Sequence, residues 1–282
     1  MADTLTLQAR DGFPLTASVY APRQAQDGGA TVMISSATAV PRAYYDAYAR
    51  HLAERGLRVV TYDYRGIGDS RPATLRGFQA DMRDWAERDL AGVITFAKRD
   101  LAARRLLFVG HSAGGQIMGL APNNAELDAA LFISSQSGYW RHWPRPDRYR
   151  IALYMYALIP AVARTLGYVP GKLGLGQDLP RGVALQWTAW SRNPHYQIGS
   201  DADRAAFSRF RGELLAYSIS DDDYAPEAAV DALVRLYVGA DRARRHVDAA
   251  LMAETIGHFG FFRARLRDKL WQETSDWLLQ RA

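Results

Sequence analysis

The chain has 282 residues, 48% of them hydrophobic, a formal net charge of +5 and no cysteine. That size and apolar share suit one large domain, or one domain with an inserted subdomain. The lack of cysteine excludes a disulfide framework, a thiolate metal site and a cysteine nucleophile.

The excess positive charge is local. Residues 139–212 hold 11 Lys and Arg against 4 Asp and Glu, whereas the rest holds 24 against 26. No helix-turn-helix, zinc-finger or RNA-binding pattern accompanies it, so no nucleic-acid partner is expected. The first twenty residues lack a signal-peptide core. The longest apolar stretch, Ile151 to Ala163, contains Pro160 and is too short to span a bilayer. The expectation is a soluble, cytoplasmic protein without a membrane partner, and the oligomeric state stays open.

In chain order, Leu5–Leu7 and Ala17–Tyr20 read as paired strands around an Asp11-Gly12 turn, followed by a polar loop, Gln24–Gly29. Thr31–Ser35 and Arg58–Tyr62 are apolar strands. Between them, Arg42–Arg55 has helical periodicity that stops at Gly56. Met82–Arg99 is a second helix, with Asp81 as its N-cap and Met82, Trp85, Ala86, Val93, Ile94 and Ala97 on one face. Leu106–Val109 is a strand, Ala113–Leu120 a helix and Asp128–Ser134 a strand. This alternation predicts a parallel sheet with helices on both faces. It breaks at Tyr139 and resumes with a strand at Leu214–Ile219, a helix over Glu227–Leu236, a strand near Arg244–Val247 and a helix over Leu266–Leu279. The boundaries that follow are a core of 1–138 with 213–282 and a helical cap of 139–212, lying where open α/β sheets place their ligands.

Gly110-His111-Ser112-Ala113-Gly114 follows the Leu106–Val109 strand directly. A strand, a sharp turn and a helix in that order lift a serine hydroxyl above the sheet. Serine is a weak nucleophile at neutral pH and needs a base, itself oriented by a third group. In this architecture the partners follow in the order acid, then histidine. The acid lies in Asp221-Asp222-Asp223, after the Leu214–Ile219 strand, where a solvated acidic turn is the plain alternative. The base is His258, between glycines and aromatic residues in Gly257-His258-Phe259-Gly260. An oxyanion hole needs two backbone N–H groups. Ala113, at the start of its helix, supplies one, and the loop Ser35–Ala39 supplies the other, from Ala37 or alternatively Thr38.

With these parts in place the chain resembles an α/β-hydrolase-fold serine hydrolase over nearly its whole length. Tyr62-Asp63-Tyr64-Arg65-Gly66-Ile67-Gly68-Asp69-Ser70 is similar to that family's Asp-x-Arg-Gly-x-Gly-x-Ser stretch. A bacterial group of capped hydrolases shares Gly-His-Ser-x-Gly-Gly, an Asp-Asp-x-x-Ala-Pro turn and Gly-His-Phe-Gly-Phe-Phe. Many members have His-Gly where this chain has Ser35-Ser36. The resemblance implies a mostly parallel eight-stranded sheet with an inserted helical cap. It also selects Asp222, four residues before Pro226, as the acid.

Together these readings predict a carboxylic ester hydrolase using Ser112, Asp222 and His258, with no cofactor and no metal. Its substrate would be a small-molecule ester, aromatic or anionic. Acyl transfer or thioester cleavage by the same triad is the alternative. From another class, the rival is a non-catalytic small-molecule binding protein on the same fold.

Asp63 and Arg65 read as a structural turn, and His111 as packing beside the nucleophile. His142 and His195 read as surface or rim groups. Trp140, Trp143, Trp187 and Trp190 are expected to pack the cap, with an acyl or aromatic pocket as the second use. Arg141, Arg145, Arg148 and Arg150 form a solvated face, or alternatively one that attracts an anionic substrate.

Overall fold

The computed structural model describes residues 2–23, 29–174 and 176–282, so the loop expected at 24–29 lies, except for Gly29, outside the described residues. Strand β1 (Ala2–Gln8) pairs antiparallel with β2 (Pro14–Tyr20), which pairs antiparallel with β4 (Arg58–Tyr62). Strands β3 (Ala30–Ser35), β5 (Arg105–His111), β6 (Ala129–Ile133), β7 (Glu213–Ile219) and β8 (Asp241–Val247) complete one eight-stranded sheet. Its order is β1-β2-β4-β3-β5-β6-β7-β8, parallel from β4 to β8.

The central strand β5 shows why the sheet is covered twice. Leu106, Leu107, Phe108 and Val109 are all fully buried. Alternate side chains of a strand point to opposite faces, so a continuous apolar run requires both to be covered. Leu106 and Phe108 belong to the layer with Trp85, Val93 and Ile94. Leu107 and Val109 belong to the opposite layer, with Tyr48, Leu52 and Trp271.

The helices follow the predicted pattern with local departures. The segment expected as one helix over 42–55 starts as a tight turn, Arg42–Tyr45, and becomes α-helical over Asp46–Glu54. Gly56 then takes φ 97, a left-handed value that favours glycine and ends the helix. The helix over 82–99 contains a π-helical turn at Trp85–Leu90, and the closing helix another at Arg267–Trp271.

Between β6 and β7 runs a helical segment: a helix over 147–166, then Arg181–Arg192 and Asp201–Ser208. A small hairpin, Tyr168–Val169 with Leu179–Pro180, sits among them. The expected helical cap did not include it, because two-residue strands leave no periodicity to read.

This segment is tied to the sheet's C-terminal edge. The Gln177 N–H donates to the Ala39 carbonyl at 2.9 Å, and the Gly68 N–H donates to Gln177 Oε1 at 2.7 Å. Trp143 Nε1 donates to the Asp223 carbonyl at 2.7 Å.

Candidate active site

The site is assembled at the C-terminal ends of β3, β5, β7 and β8. Ser112 follows β5 directly and adopts φ 51, ψ −112, a conformation that costs energy and persists only where the surroundings enforce it. The glycines of the motif permit it. A Cβ on Gly110 would lie 2.6 Å from the Gly115 nitrogen, and one on Gly114 would collide with the Ser35 carbonyl. The helix Ala113–Met118 starts one residue later. The Ala113 N–H is therefore among the amides that a helix leaves without an intrahelical partner.

His258 lies in a short helix, Gly257–Gly260, after β8, and its side chain is 5% exposed. Its Nδ1 is 2.8 Å from Asp222 Oδ2 and 3.0 Å from Oδ1. Asp222 Oδ1 also accepts from the Tyr224 and Ala225 amides, at 2.9 and 3.0 Å. Burial opposes the carboxylate's charge. The adjacent His258, the hydrogen bond to it and the further donors outweigh burial and hold the Asp222 carboxyl below the ordinary value. A charged carboxylate only accepts, so Nδ1 of the imidazole carries hydrogen, and in the neutral ring Nε2 is the basic nitrogen.

The three consecutive aspartates are told apart by their contacts. Asp222 bonds the imidazole. Asp221 accepts from the Ile256 and Gly257 amides at 2.9 and 2.8 Å and so staples the His258 loop to the end of β7. The side chain of Asp223 is exposed, and its carbonyl receives Trp143. The stapling role of Asp221 escaped sequence reading because its partners are backbone amides 35 and 36 residues away.

Ser112 directly follows His111 in the chain. The ring of its neighbour His111 is 5.1 Å from the His258 ring. Among the described residues, Ser112 Oγ has no hydrogen-bond partner.

The amide expected as second oxyanion donor, that of Ala37, already has a partner. Ala37 lies in the expected loop, but its N–H donates to Tyr45 Oη at 2.9 Å. An amide has one hydrogen, so Ala37 does not offer it to a substrate oxygen. The Thr38 amide, the alternative on the same loop, has no hydrogen-bond partner among the described residues, and Thr38 is half-buried where Ala37 is 2% exposed.

Aromatic residues surround His258. The Tyr224 ring is 5.3 Å away and that of Phe259 4.9 Å, edge to face. Tyr224 is 55% exposed and Phe259 half-buried. Tyr44, part-buried, donates its hydroxyl to the Phe259 carbonyl. Of the four tryptophans of the 139–212 segment, Trp143 and Trp190 are buried, as packing residues should be.

Asp63 and Arg65 serve structure. Buried Asp63 accepts from the Arg42 amide and guanidinium. Arg65 bonds Asp89 and Asp11. Among the described residues, no group of three or more His, Asp or Glu side chains could hold a metal ion. No helix is long and apolar enough to cross a membrane among those residues.

Comparison with known proteins agrees with this architecture. A soluble variant of monoglyceride lipase from Saccharomyces cerevisiae, solved with a substrate analog, superposes with a TM-score of 0.71 at 13% identity, covering 99% of this chain and 96% of that one. DcsB, in complex with its substrate analogue, gives a TM-score of 0.68 at 14% identity, with 100% of both chains covered. Est1E from Butyrivibrio proteoclasticus, with ferulic acid bound, gives 0.63 at 15% identity, with 98% of each chain covered. In sequence, the non-reducing polyketide synthase ascC of Acremonium egyptiacum is 28% identical over 123 residues, 41% of this chain but 6% of that protein's length. The family model described as serine aminopeptidase, S33, matches residues 28–250. With that match over most of its length, and an eight-stranded, mostly parallel sheet carrying a Gly-x-Ser-x-Gly turn, the chain belongs to the serine aminopeptidase, S33, family of α/β-fold serine hydrolases.

Proposed function

We propose that the protein hydrolyses a carboxylic ester through Ser112, His258 and Asp222. The observation that carries this reading is the buried Asp222–His258 pair, with Nδ1 at 2.8 Å from Oδ2, together with a serine in a strained strand-to-helix turn at φ 51. His258 Nε2 takes the Ser112 proton as Oγ attacks the ester carbonyl. Asp222 holds the ring and stabilises the imidazolium that forms. The Ala113 and Thr38 amides receive the oxyanion. The imidazolium returns its proton to the leaving alcohol, and water resolves the acyl-enzyme by the same steps. The Ser112–His258 hydrogen bond forms in the substrate complex, where such bonds tighten.

The segment 139–212 acts as a cap over this edge, held there by Gln177 and Trp143. The Tyr224–Phe259–Tyr44 wall suits an acyl or aromatic group, and the ferulic acid held by Est1E supports that choice. A peptidase acting on a free amino terminus needs a carboxylate for the ammonium group. Of the three aspartates at the end of β7, Asp221 is committed to two backbone amides and Asp222 to His258, and Asp223 is exposed to solvent. The likeness to a polyketide synthase over 123 residues is the reason to keep acyl transfer or thioester cleavage as a second reading.

The test is hydrolysis of p-nitrophenyl esters from C2 to C16, with fluorophosphonate labelling alongside. Ser112→Ala and His258→Ala should each remain folded and lose at least about 10³-fold in turnover. Retained turnover in either variant would remove the triad. Labelling of Ser112 without ester turnover, but with cleavage of acyl thioesters, would favour the second reading. A folded protein that neither labels nor turns over would favour a binding protein.

A further inference from the structure

The residue before the nucleophile, His111, is fully buried, and both its ring nitrogens are engaged. Nε2 lies 2.9 Å from the His258 carbonyl oxygen, and Nδ1 lies 2.8 Å from Tyr45 Oη. A carbonyl oxygen only accepts, so Nε2 carries hydrogen. Burial, then the nearby His258, push the His111 pKa down to about 3, with the His258 carbonyl and Asp222 opposing. The ring is neutral, and Nδ1 is an acceptor. Tyr45 therefore donates its one hydroxyl hydrogen to Nδ1 and uses a lone pair to accept the Ala37 N–H at 2.9 Å.

The direction of every bond is thereby settled: Ala37 N–H to Tyr45 Oη, Tyr45 O–H to His111 Nδ1, and His111 Nε2–H to the carbonyl of His258. The chain joins the loop after β3, the nucleophile turn after β5 and the histidine loop after β8. Packing alone does not require it. The Tyr45 and His111 rings also meet Phe262, at 4.8 and 5.0 Å, a contact that phenylalanine at either position would keep.

We propose that Tyr45 and His111 are positioning residues, which set the oxyanion loop and the His258 loop against the Ser112 turn. The proposal rests on the triad reading above. The Ala37 amide, held by Tyr45, fixes the loop from which Thr38 serves the oxyanion. The His258 carbonyl, held by His111, fixes the backbone that carries the base.

The experiment compares wild type with Tyr45→Phe, His111→Gln and His111→Phe, each checked by thermal melting. Its readouts are kcat and KM on p-nitrophenyl butyrate, the fluorophosphonate labelling rate, and the His111 tautomer by nitrogen-15 NMR. Tyr45→Phe should lower kcat and the labelling rate at least tenfold, with KM within twofold. His111→Gln, which keeps a donor for the His258 carbonyl, should retain more activity than His111→Phe. In the wild type, His111 should be the Nε2–H tautomer and stay neutral from pH 5 to 9.

Rates within twofold of wild type in both Tyr45→Phe and His111→Phe would overturn the proposal while leaving the triad standing. An Nδ1–H tautomer, or titration of His111 near pH 6.5, would overturn it even if the variants fail to fold. A wild type that neither labels nor turns over would remove the triad and the positioning role with it.

Discussion

At the scale of single residues, the site depends on groups that burial and close approach leave no alternative. Ser112 keeps φ 51 because Gly110 and Gly114 let the turn approach Gly115 and Ser35 more closely than any side chain would allow. His111 is held neutral because no charge is tolerated at its buried position without a carboxylate in contact. Its depressed pKa has a measurable consequence. Below pH 6.5 the unfolded chain takes up a proton at His111 that the folded chain refuses until about pH 3. Stability should therefore be intact above pH 6.5 and fall with acidification, by up to about 1.4 kcal/mol per pH unit for this group. Urea titrations between pH 4.5 and 7 should show that slope in the wild type and a shallower one in His111→Gln. Equal slopes would mean that His111 is protonated in the folded protein.

At the scale of elements, the helix over 82–99 shows what periodicity conveys. Asp81 accepts from the Asp84 amide at 2.9 Å, and the Asp84 carboxylate accepts from the Asp81 amide at 3.0 Å, a reciprocal cap on two otherwise unpaired amides. The N-cap was legible because an acceptor side chain stands just before the first apolar residue of the pattern. The π-helical turn at Trp85–Leu90 was not. It lies where Trp85 stacks on Tyr64, with centroids 4.5 Å apart, and bonds the Arg65 carbonyl at 3.1 Å. Both partners come from the turn after β4. Asp81→Ala should cost about 1 kcal/mol, read as a lower urea midpoint with an unchanged m value. No change would mean that packing alone holds this helix start.

At the scale of the whole molecule, the same helix start docks the 139–212 segment. The Arg83 amide donates to Gln186 Oε1 at 2.9 Å, and its guanidinium bonds Asp203 at 2.7 Å. The Asp203 side chain is 8% exposed, and its other oxygen accepts from the Gly199 amide. Removing Arg83 strands a nearly buried carboxylate. Arg83→Ala should lose roughly 1.5–3 kcal/mol, with the loss felt first in the segment. Limited trypsinolysis followed by mass spectrometry should show faster cleavage within 139–212 than in the wild type, before the sheet is cut. Unchanged cleavage there would show that Gln177, Trp143 and apolar packing hold the segment without this pair.

By itself the sequence determined the alternation of strands and helices, the sheet covered on both faces, the Ser112 turn, and His258 as the partner of an acid after β7. These are local signals: apolar runs, glycine at tight turns, and residue types in a set order. The family resemblance had selected Asp222 among the three aspartates, but only the tertiary structure shows the separate contacts of its neighbours, with Asp221 on two backbone amides and Asp223 exposed. It also decided that the Ala37 amide is engaged by Tyr45, and that His111 bonds both Tyr45, 66 residues before it, and the His258 carbonyl, 147 residues after it. The bonds at the Ala37 amide and the His258 carbonyl each join a side chain to a backbone atom, which every residue carries, so its partner leaves no mark in the sequence until folding brings the two together.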